Sequence, residues 1–272
     1  MYRALSLLFL LTACRTVTQG IPPPKPEWEV PFTLEQNGLP LVQATIGGKQ
    51  TLLIVDTGAP DLALQAWFVK SLEGVEPTES EGRRVVELSL QLGAINAKKK
   101  WSLVETVPDQ RELGIGGTLS PQKLLDRGAI AIDFPNKRLL AINGKQQSWM
   151  LWLDERSPKG QVEALPRTAP FGGALHVKTR VGDGKEVPTR ISSAQQQTAY
   201  AKGMFDPSLL AGAQHLAGLH IRTGDSEFGP IDVLVRDADA PVEGWLGLDV
   251  LSNVVLLVPV HEMAPIWLMT PR

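Results

Sequence analysis

The sequence has little of what several common kinds of site require. Among 272 residues there is one cysteine, Cys14, so an internal disulfide is excluded. There are four histidines, and none stands in the Cys/His spacing of a metal site, so we expect no bound metal. The net charge is -2, and the sequence has no long basic run. This charge pattern predicts no nucleic acid partner.

Two catalytic signatures are also missing. No Gly-x-Ser-x-Gly turn supports a serine hydrolase of the α/β type. The glycine-rich segment at residues 114–117 lacks the Lys-Ser/Thr pair that follows a phosphate-binding loop, so we interpret it as a turn. We therefore expect a protein that works without a cofactor.

The N-terminal segment has the pattern of a processing signal. Arg3 precedes an apolar run at residues 4–11, which is too short to span a bilayer. The Leu-Thr-Ala-Cys sequence that ends at Cys14 resembles the bacterial lipobox, so residues 1–13 are interpreted as a signal peptide and Cys14 as a lipidated N-terminus. A secretory signal with an incidental cysteine is the alternative. Arg15 stands where inner-membrane lipoproteins usually carry aspartate, which favours the outer membrane.

The proline-rich residues 14–28 follow this segment. Such a run is extended and semi-rigid, and it is typical of a spacer. The sequence therefore predicts a protein of the bacterial cell envelope that is held at the membrane by a lipid anchor.

A weak internal repeat divides the rest of the chain. Residues 48–58 align without a gap with residues 184–194, and each copy has a Gly-Lys turn between two strand-like runs. A second landmark at residues 116–125 recurs at residues 243–251, and a pair of apolar, strand-like segments follows each copy. The repeat indicates two lobes of the same plan.

The repeat predicts an all-β fold. We place the lobes at residues 29–145 and 173–272 and an irregular linker at residues 146–172. Helical content should be low, with residues 62–72 and 208–217 as the best candidates.

The most informative stretch is an apolar run that ends in an acid. Residues 52–55 read Leu-Leu-Ile-Val, and Asp56, Thr57, Gly58 and Ala59 follow. A buried strand that ends on a carboxylate is costly unless the carboxylate has a task. Thr57 can hold a turn by hydrogen bonding, and Gly58 permits close approach of the backbone. A strand-end turn with a solvated aspartate is the alternative.

This stretch resembles the active-site turn of retropepsin-like aspartic peptidases, and the tandem lobes resemble the bilobal pepsin-like layout. The likeness covers roughly residues 32–142. It implies acid-protease β-barrel lobes, Asp56 as the catalytic carboxylate and the next three residues as its supporting turn. It also implies an extended peptide or protein as substrate, with cleavage fastest at acidic pH.

The resemblance further implies a hairpin that closes over the substrate. We place it around residues 92–101. The lysines at residues 98–100 would then lie in a solvated connection between two strands.

The second copy departs from the family pattern at the acid, because Ser192, Ser193 and Ala194 stand where Asp-Thr-Gly is expected. The mechanism uses two carboxylates about 3 Å apart that share a proton, and serine cannot supply that proton. Three alternatives stay open. Two copies of Asp56 meet in a homodimer; the chain is a catalytically silent peptide-binding protein or envelope scaffold; or another acid completes the site, namely Asp183, Asp206, Asp225 or Asp232. The sequence favours an aspartic endopeptidase, with the silent binding protein as the alternative.

Overall fold

The computed structural model describes residues 24–35, 38–156, 161–168, 173–210, 212–237, 244–261 and 264–270. The predicted signal peptide, Cys14 and most of the proline-rich segment lie outside these residues. Within them, no helix has both the length and the apolar character needed to cross a bilayer.

The described residues form twenty strands, five α-helices and two short 3-10 helices at Pro121–Lys123 and Lys202–Met204. The strands of the first half are β1 (Trp28–Pro31), β2 (Thr33–Leu34), β3 (Pro40–Ile46), β4 (Lys49–Val55), β5 (Ala63–Gln65), β6 (Thr78–Ser80), β7 (Arg83–Leu92), β8 (Ile95–Val104), β9 (Ile115–Leu119), β10 (Ala129–Asp133) and β11 (Arg138–Ile142). Those of the second half are β12 (Gln161–Leu165), β13 (His176–Val181), β14 (Glu186–Ile191), β15 (Ala199–Ala201), β16 (His215–Thr223), β17 (Ser226–Arg236), β18 (Gly244–Leu246), β19 (Val255–Pro259) and β20 (Ile266–Thr270). The helices are α1 (Ala66–Lys70), α2 (Pro108–Glu112), α3 (Gln146–Arg156), α4 (Pro207–Leu210) and α5 (Leu248–Leu251).

Each lobe closes into a six-stranded barrel. The first barrel runs β3, β4, β9, β5, β8 and β7, and the pairing of β7 with β3 closes it. The second runs β13, β14, β18, β15, β17 and β16. In both, the strand before the predicted active-site turn pairs in parallel with the strand of the second landmark, β4 with β9 and β14 with β18. The prediction of an all-β fold with two β-barrel lobes in tandem is confirmed.

The strands follow from the alternation of apolar and polar residues. In β7, Val86, Leu88 and Leu90 are buried in the barrel, while Glu87 and Ser89 between them are exposed. Successive side chains of a strand point to opposite faces, so this pattern buries one face and leaves the other in solvent.

A six-stranded antiparallel sheet joins the lobes, in the order β1, β11, β10, β19, β20, β12. Its centre is the pairing of β10 from the first lobe with β19 from the second, which sets Ala131 opposite Leu257. Helix α3 covers one face of the sheet with Trp149, Trp152 and Leu153. Because the predicted strand pair of one lobe bonds to that of the other, this sheet fixes the lobes relative to each other.

Two local expectations differ from the structure. The segment at residues 146–172 was expected to be irregular, but its described part contains α3 and β12. Trp149, Trp152 and Leu153 are the buried residues of α3, but residues 149–153 form a continuous apolar run, so the sequence shows no helical periodicity there. The helix expected at residues 62–72 is shorter, because β5 takes up its first part.

The prediction that the lysines at residues 98–100 lie in a connection between strands is wrong. They lie inside β8, where they pair with β7. The turn between the strands is tight, because Gly93 adopts a φ of 56° that suits glycine. A Cβ on Gly93 would lie 2.7 Å from Val30 Cγ2, so this turn packs against β1. Lys98 Nζ lies 2.9 Å from Glu87 Oε2, so the lysine run forms an ion pair across the two strands.

Candidate active site

Asp56 and Ser192 occupy equivalent places where the two lobes meet. Asp56 directly follows β4 and Ser192 directly follows β14. The backbone N–H of Asp56 donates to Leu119 O at 2.9 Å, and that of Ser192 donates to Leu246 O at 3.0 Å. The two turns therefore leave their strands in the same way, which confirms the ungapped alignment of the repeat.

The second residues of the two turns, Thr57 and Ser193, hold the lobes together. Thr57 N donates to Ser193 Oγ, and Ser193 N donates to Thr57 Oγ1, both at 3.1 Å. Thr57 Oγ1 then donates to Ile191 O at 2.8 Å, and Ser193 Oγ donates to Val55 O at 2.7 Å. Both side chains are fully buried, so these four bonds are shielded from water. Thr57 thus bonds across the lobe interface, as the resemblance implied.

The Asp56 carboxyl is hydrogen-bonded from both lobes. Its Oδ1 accepts from Gly58 N at 2.8 Å and from Ser192 Oγ at 2.9 Å. Burial raises the pKa of the Asp56 carboxyl above its ordinary value. The hydrogen bonds from Gly58, Ser192 and Ala194 and the charge of Arg190 offset part of that rise. Asp56 is therefore a partly buried acid that is held in a fixed orientation.

Among the described residues, no second acid contributes to the pKa of Asp56. The four acids considered as replacements are all exposed. All four lie in the second lobe, with Asp232 in β17 and the others in connections between elements: Asp183, Asp206 and Asp225. The alternative in which one of them completes the site is wrong, and the reason is that Ser192 occupies the equivalent position directly. The described residues also contain no group of three metal-ligating side chains.

The second lobe also covers the face that an Asp56-to-Asp56 dimer would use. Ser192 contacts the carboxyl of Asp56, and Ser193 bonds to Thr57, both within one chain. A pairing of two Asp56 side chains across a two-fold axis would have to break these bonds. The homodimer itself stays a prediction.

Arg190 places a positive charge beside the Asp56 turn, and sequence reasoning missed it. It lies in β14 directly opposite His176 of β13, and its Nε is 3.5 Å from His176 Nε2. Burial lowers the pKa of His176, and the charge of Arg190 lowers it further, so the cation of this pair is Arg190. Arg190 Cδ lies 3.1 Å from the point that a Cβ on Gly58 would occupy. The signal was present, since Arg190 interrupts a strand whose first-lobe counterpart, Ile54, is apolar.

Gly58 is required because the lobes approach closely. A Cβ at this position would lie 2.8 Å from Ser192 Cβ, a distance that forces one of the two turns to move. The equivalent residue of the second lobe is Ala194, whose methyl group packs against a small apolar cluster with Leu39.

Ala59 ends the turn and is supported by the second landmark. Its N–H donates to Asp56 O at 3.2 Å. Its carbonyl oxygen accepts from Ser120 Oγ at 2.9 Å and from Gln122 Nε2 at 2.8 Å. Ser120, which departs from the family pattern, thus stabilises the turn with its hydroxyl.

We predicted that the hairpin beside the site lies around residues 92–101. In the structure, the hairpin beside the site is instead β6–β7. Its turn contains Glu81 with φ 53° and Gly82 with φ 71°. Arg83, directly after the turn, places its guanidinium 2.9 Å from Asp61 Oδ2. Asp61 is close to Asp56 in sequence, so this ion pair brings the end of the hairpin to the active-site loop.

The fold is similar to that of a solved aspartic proteinase. It matches 354 chains of known structure, one of which is the aspartic proteinase from Irpex lacteus. That match has a TM-score of 0.59 at 13% sequence identity and covers 90% of this chain and 97% of that one. At this identity the likeness shows the fold, which is bilobal and pepsin-like. No protein-family model and no curated protein sequence matches the chain.

Proposed function

We propose that the protein is an endopeptidase that binds an extended polypeptide at the junction of its lobes, with Asp56 as the base that activates water. The observation that carries this proposal is the Asp56 carboxyl itself. It stands at the lobe junction, it is oriented by Gly58 N and Ser192 Oγ, and burial raises its pKa. A general base works best when its pKa lies near the working pH, and burial moves Asp56 in that direction.

A single carboxylate changes the expected pH dependence. Asp56 must be ionised to take a proton from water, so the rate should rise with pH through its raised pKa. This revises the acidic optimum that the family resemblance implies, since that optimum depends on a second, protonated acid. The positive charge of Arg190 is the group that can stabilise the oxyanion in place of that acid.

The test is cleavage of an unfolded protein by the wild type and by Asp56→Asn between pH 4 and pH 8. We expect wild-type cleavage to rise with pH and the variant to lose about 100-fold or more, the usual contribution of a general base. Asp183→Asn is the matched control, because Asp183 is exposed in a turn of the second lobe. Equal rates in the wild type and Asp56→Asn would remove the proposal.

A second candidate is a catalytically silent protein that binds peptides or serves as an envelope scaffold. The observation that favours it is Ser192, which takes the position of the second acid. Under this candidate, the wild type cleaves no peptide at any pH, and Asp56→Asn binds a peptide library as tightly as the wild type. Fluorescence polarisation with labelled peptides measures that affinity.

We also propose that residues 1–13 are removed, that Cys14 is lipidated and that residues 14–28 tether the lobes to the outer membrane. The sequence pattern alone supports this proposal. Mass spectrometry of the mature N-terminus and fractionation of a Cys14→Ser variant test it. The wild type should carry acyl chains and sediment with membranes, and the variant should do neither.

A further inference from the structure

Ser192 has a contact that its role as a replacement for an acid does not explain. Its Oγ donates to Asp56 Oδ1 at 2.9 Å, and the same oxygen of Asp56 accepts from Gly58 N at 2.8 Å. A hydroxyl within hydrogen-bond reach of a base, with the base oriented by a third group, is the arrangement of nucleophilic catalysis. The chain therefore holds a hydroxyl and a carboxyl in hydrogen-bond contact at the lobe junction.

We propose that Ser192 Oγ is the nucleophile of an acyl-transfer reaction on amide or ester carbonyls and that Asp56 is its general base. The inference rests on the proposed function in one respect, because Asp56 keeps its role as the base. It adds that the carbonyl carbon is attacked first by Ser192 and only afterwards by water.

The two steps balance without a cofactor. Ser192 Oγ bonds to the carbonyl carbon and gives its proton to Asp56, and the electron pair of the C=O bond moves to the oxygen. When the C=O bond re-forms, the bond to the leaving nitrogen or oxygen breaks, and that atom takes the proton from Asp56. Water then attacks the acyl–Ser192 ester and gives a proton to Asp56, and Ser192 Oγ leaves and recovers it. One water is consumed and one amide or ester bond is hydrolysed.

The surroundings of the pair favour this chemistry. Ser192 is 4% exposed, so its hydrogen bond to Asp56 is largely shielded from competing water. Burial also raises the proton affinity of the Asp56 carboxyl, which a base needs if it is to accept a proton from a hydroxyl. Arg190, whose charge acts on the same carboxyl, can stabilise the negative charge that develops on the carbonyl oxygen.

Ser193, the neighbour of Ser192, has a structural role and serves as a comparison. Its Oγ donates to Val55 O and accepts from Thr57 N, and it is fully buried. Its hydroxyl hydrogen is donated to a backbone carbonyl, and its other partner is a backbone N–H group, so neither of these partners is a base. The two adjacent serines therefore make a matched pair, one placed for chemistry and the other for holding the lobes together.

The experiment is the reaction of the folded protein with an alkyl fluorophosphonate, with the labelled residue found by peptide mass spectrometry. We expect an adduct on Ser192 and none on Ser193. Ser192→Ala should carry no adduct, and Asp56→Asn should react about 100-fold more slowly, the usual effect of losing a general base. No adduct on the folded wild type, or an Asp56→Asn rate equal to that of the wild type, would overturn the proposal.

A second variant guards against loss of folding. Ser192→Cys keeps the size and the donor, and it should react with iodoacetamide faster than the same variant that also carries Asp56→Asn. Equal rates there also count against the proposal.

Peptide cleavage separates this inference from the proposed function. If Ser192→Ala cleaves an unfolded protein at the wild-type rate while Asp56→Asn does not, the result supports direct attack by water and contradicts the role of Ser192 as a nucleophile. If the Asp56-dependent adduct forms but no polypeptide is cleaved, the result supports acyl transfer by Ser192 and contradicts the proposed endopeptidase function.

Discussion

The turn of the first lobe reads Asp-Thr-Gly at residues 56–58, and the turn of the second reads Ser-Ser-Ala at residues 192–194. Both leave a parallel-paired strand with the same backbone hydrogen bond. The middle residues, Thr57 and Ser193, make the same two kinds of bond across the interface. In both turns, the residue that holds the lobes together carries a hydroxyl group. The first residue of the turn is an acid in the first lobe and a serine in the second. In this chain, the architecture of the site and its acid chemistry are therefore separable.

The turns of the two long hairpins, β7–β8 and β16–β17, are likewise held by different side chains in the two lobes. In the first lobe, Gly93 packs against Val30 of β1. In the second, the Glu163 carboxylate of β12 accepts from the N–H groups of Asp225 and Ser226. One barrel is held to its edge strand by an apolar contact and the other by a carboxylate, so equivalent positions serve the same purpose with different side chains.

Ser192→Asp removes the largest difference between the turns. It places a second carboxylate opposite Asp56, and coupled groups act as a unit, so cleavage below pH 6 should increase by about 100-fold or more over the wild type. Rates on an unfolded protein between pH 3 and pH 7 measure this change, and Ser208→Asp, at an exposed site, is the control. A folded Ser192→Asp variant with no gain at acidic pH would show that the two positions are not equivalent.

Thr57→Val and Ser193→Ala break the feature that the turns share. Each removes two buried hydrogen bonds and leaves their partners unsatisfied, so each should lower the free energy of unfolding by about 2–4 kcal/mol. The effects should not add, because both residues belong to one network. Urea unfolding of the single and double variants measures this. Thr33→Val, at an exposed site, should change little. Independent, additive effects would argue against a shared network.

Gly58→Ala and Ala194→Gly exchange the third residues of the turns. A Cβ on Gly58 meets Ser192 Cβ at 2.8 Å, so Gly58→Ala should lower the free energy of unfolding by about 1–3 kcal/mol. Ala194→Gly has no such clash to create and should cost under about 1 kcal/mol, mainly from greater freedom of the unfolded chain. Thermal unfolding ranks the two variants, and the reverse order would contradict the close approach at Gly58.

The smallest expected effect is the dependence of stability on the charge of Asp56. Its pKa is raised on folding, so its contribution favours folding at low pH and is lost as the pH rises through the folded-state pKa. Asp56→Asn should therefore raise the unfolding temperature at pH 7 relative to the wild type and have less effect near pH 3. Asp183→Asn should show no such trend. A destabilising effect of Asp56→Asn at pH 7 would mean that the carboxylate is stabilised in the folded state.

The sequence predicted the parts of the fold that local patterns determine. The apolar run before Asp56 and the ungapped repeat at residues 184–194 were enough to predict two lobes and to align their turns. The alternation of β7 predicted a half-buried strand. Helix α3 gave no such signal, because its apolar residues run without a break from Trp149 to Leu153 and show no helical period.

The misses concern which elements meet in space. Both Gly82 and Gly93 mark hairpin turns, and only the fold decides that the first lies beside Asp61 while the second packs against Val30. Arg190 was missed for the same reason. The register of a strand decides which side each of its residues faces. Arg190 faces the first lobe because the interlobe sheet holds the two lobes in that arrangement.

The central claim is that one partly buried carboxyl stands at the lobe junction and that, in the part of the chain that the structure describes, no second acid acts on it. Carbon-detected NMR titration of the Asp56 carboxyl in the wild type tests it most directly. The account predicts a single titration step with its midpoint above the ordinary value of 3.8 for aspartate. Two coupled steps, or a midpoint below that value, would contradict it.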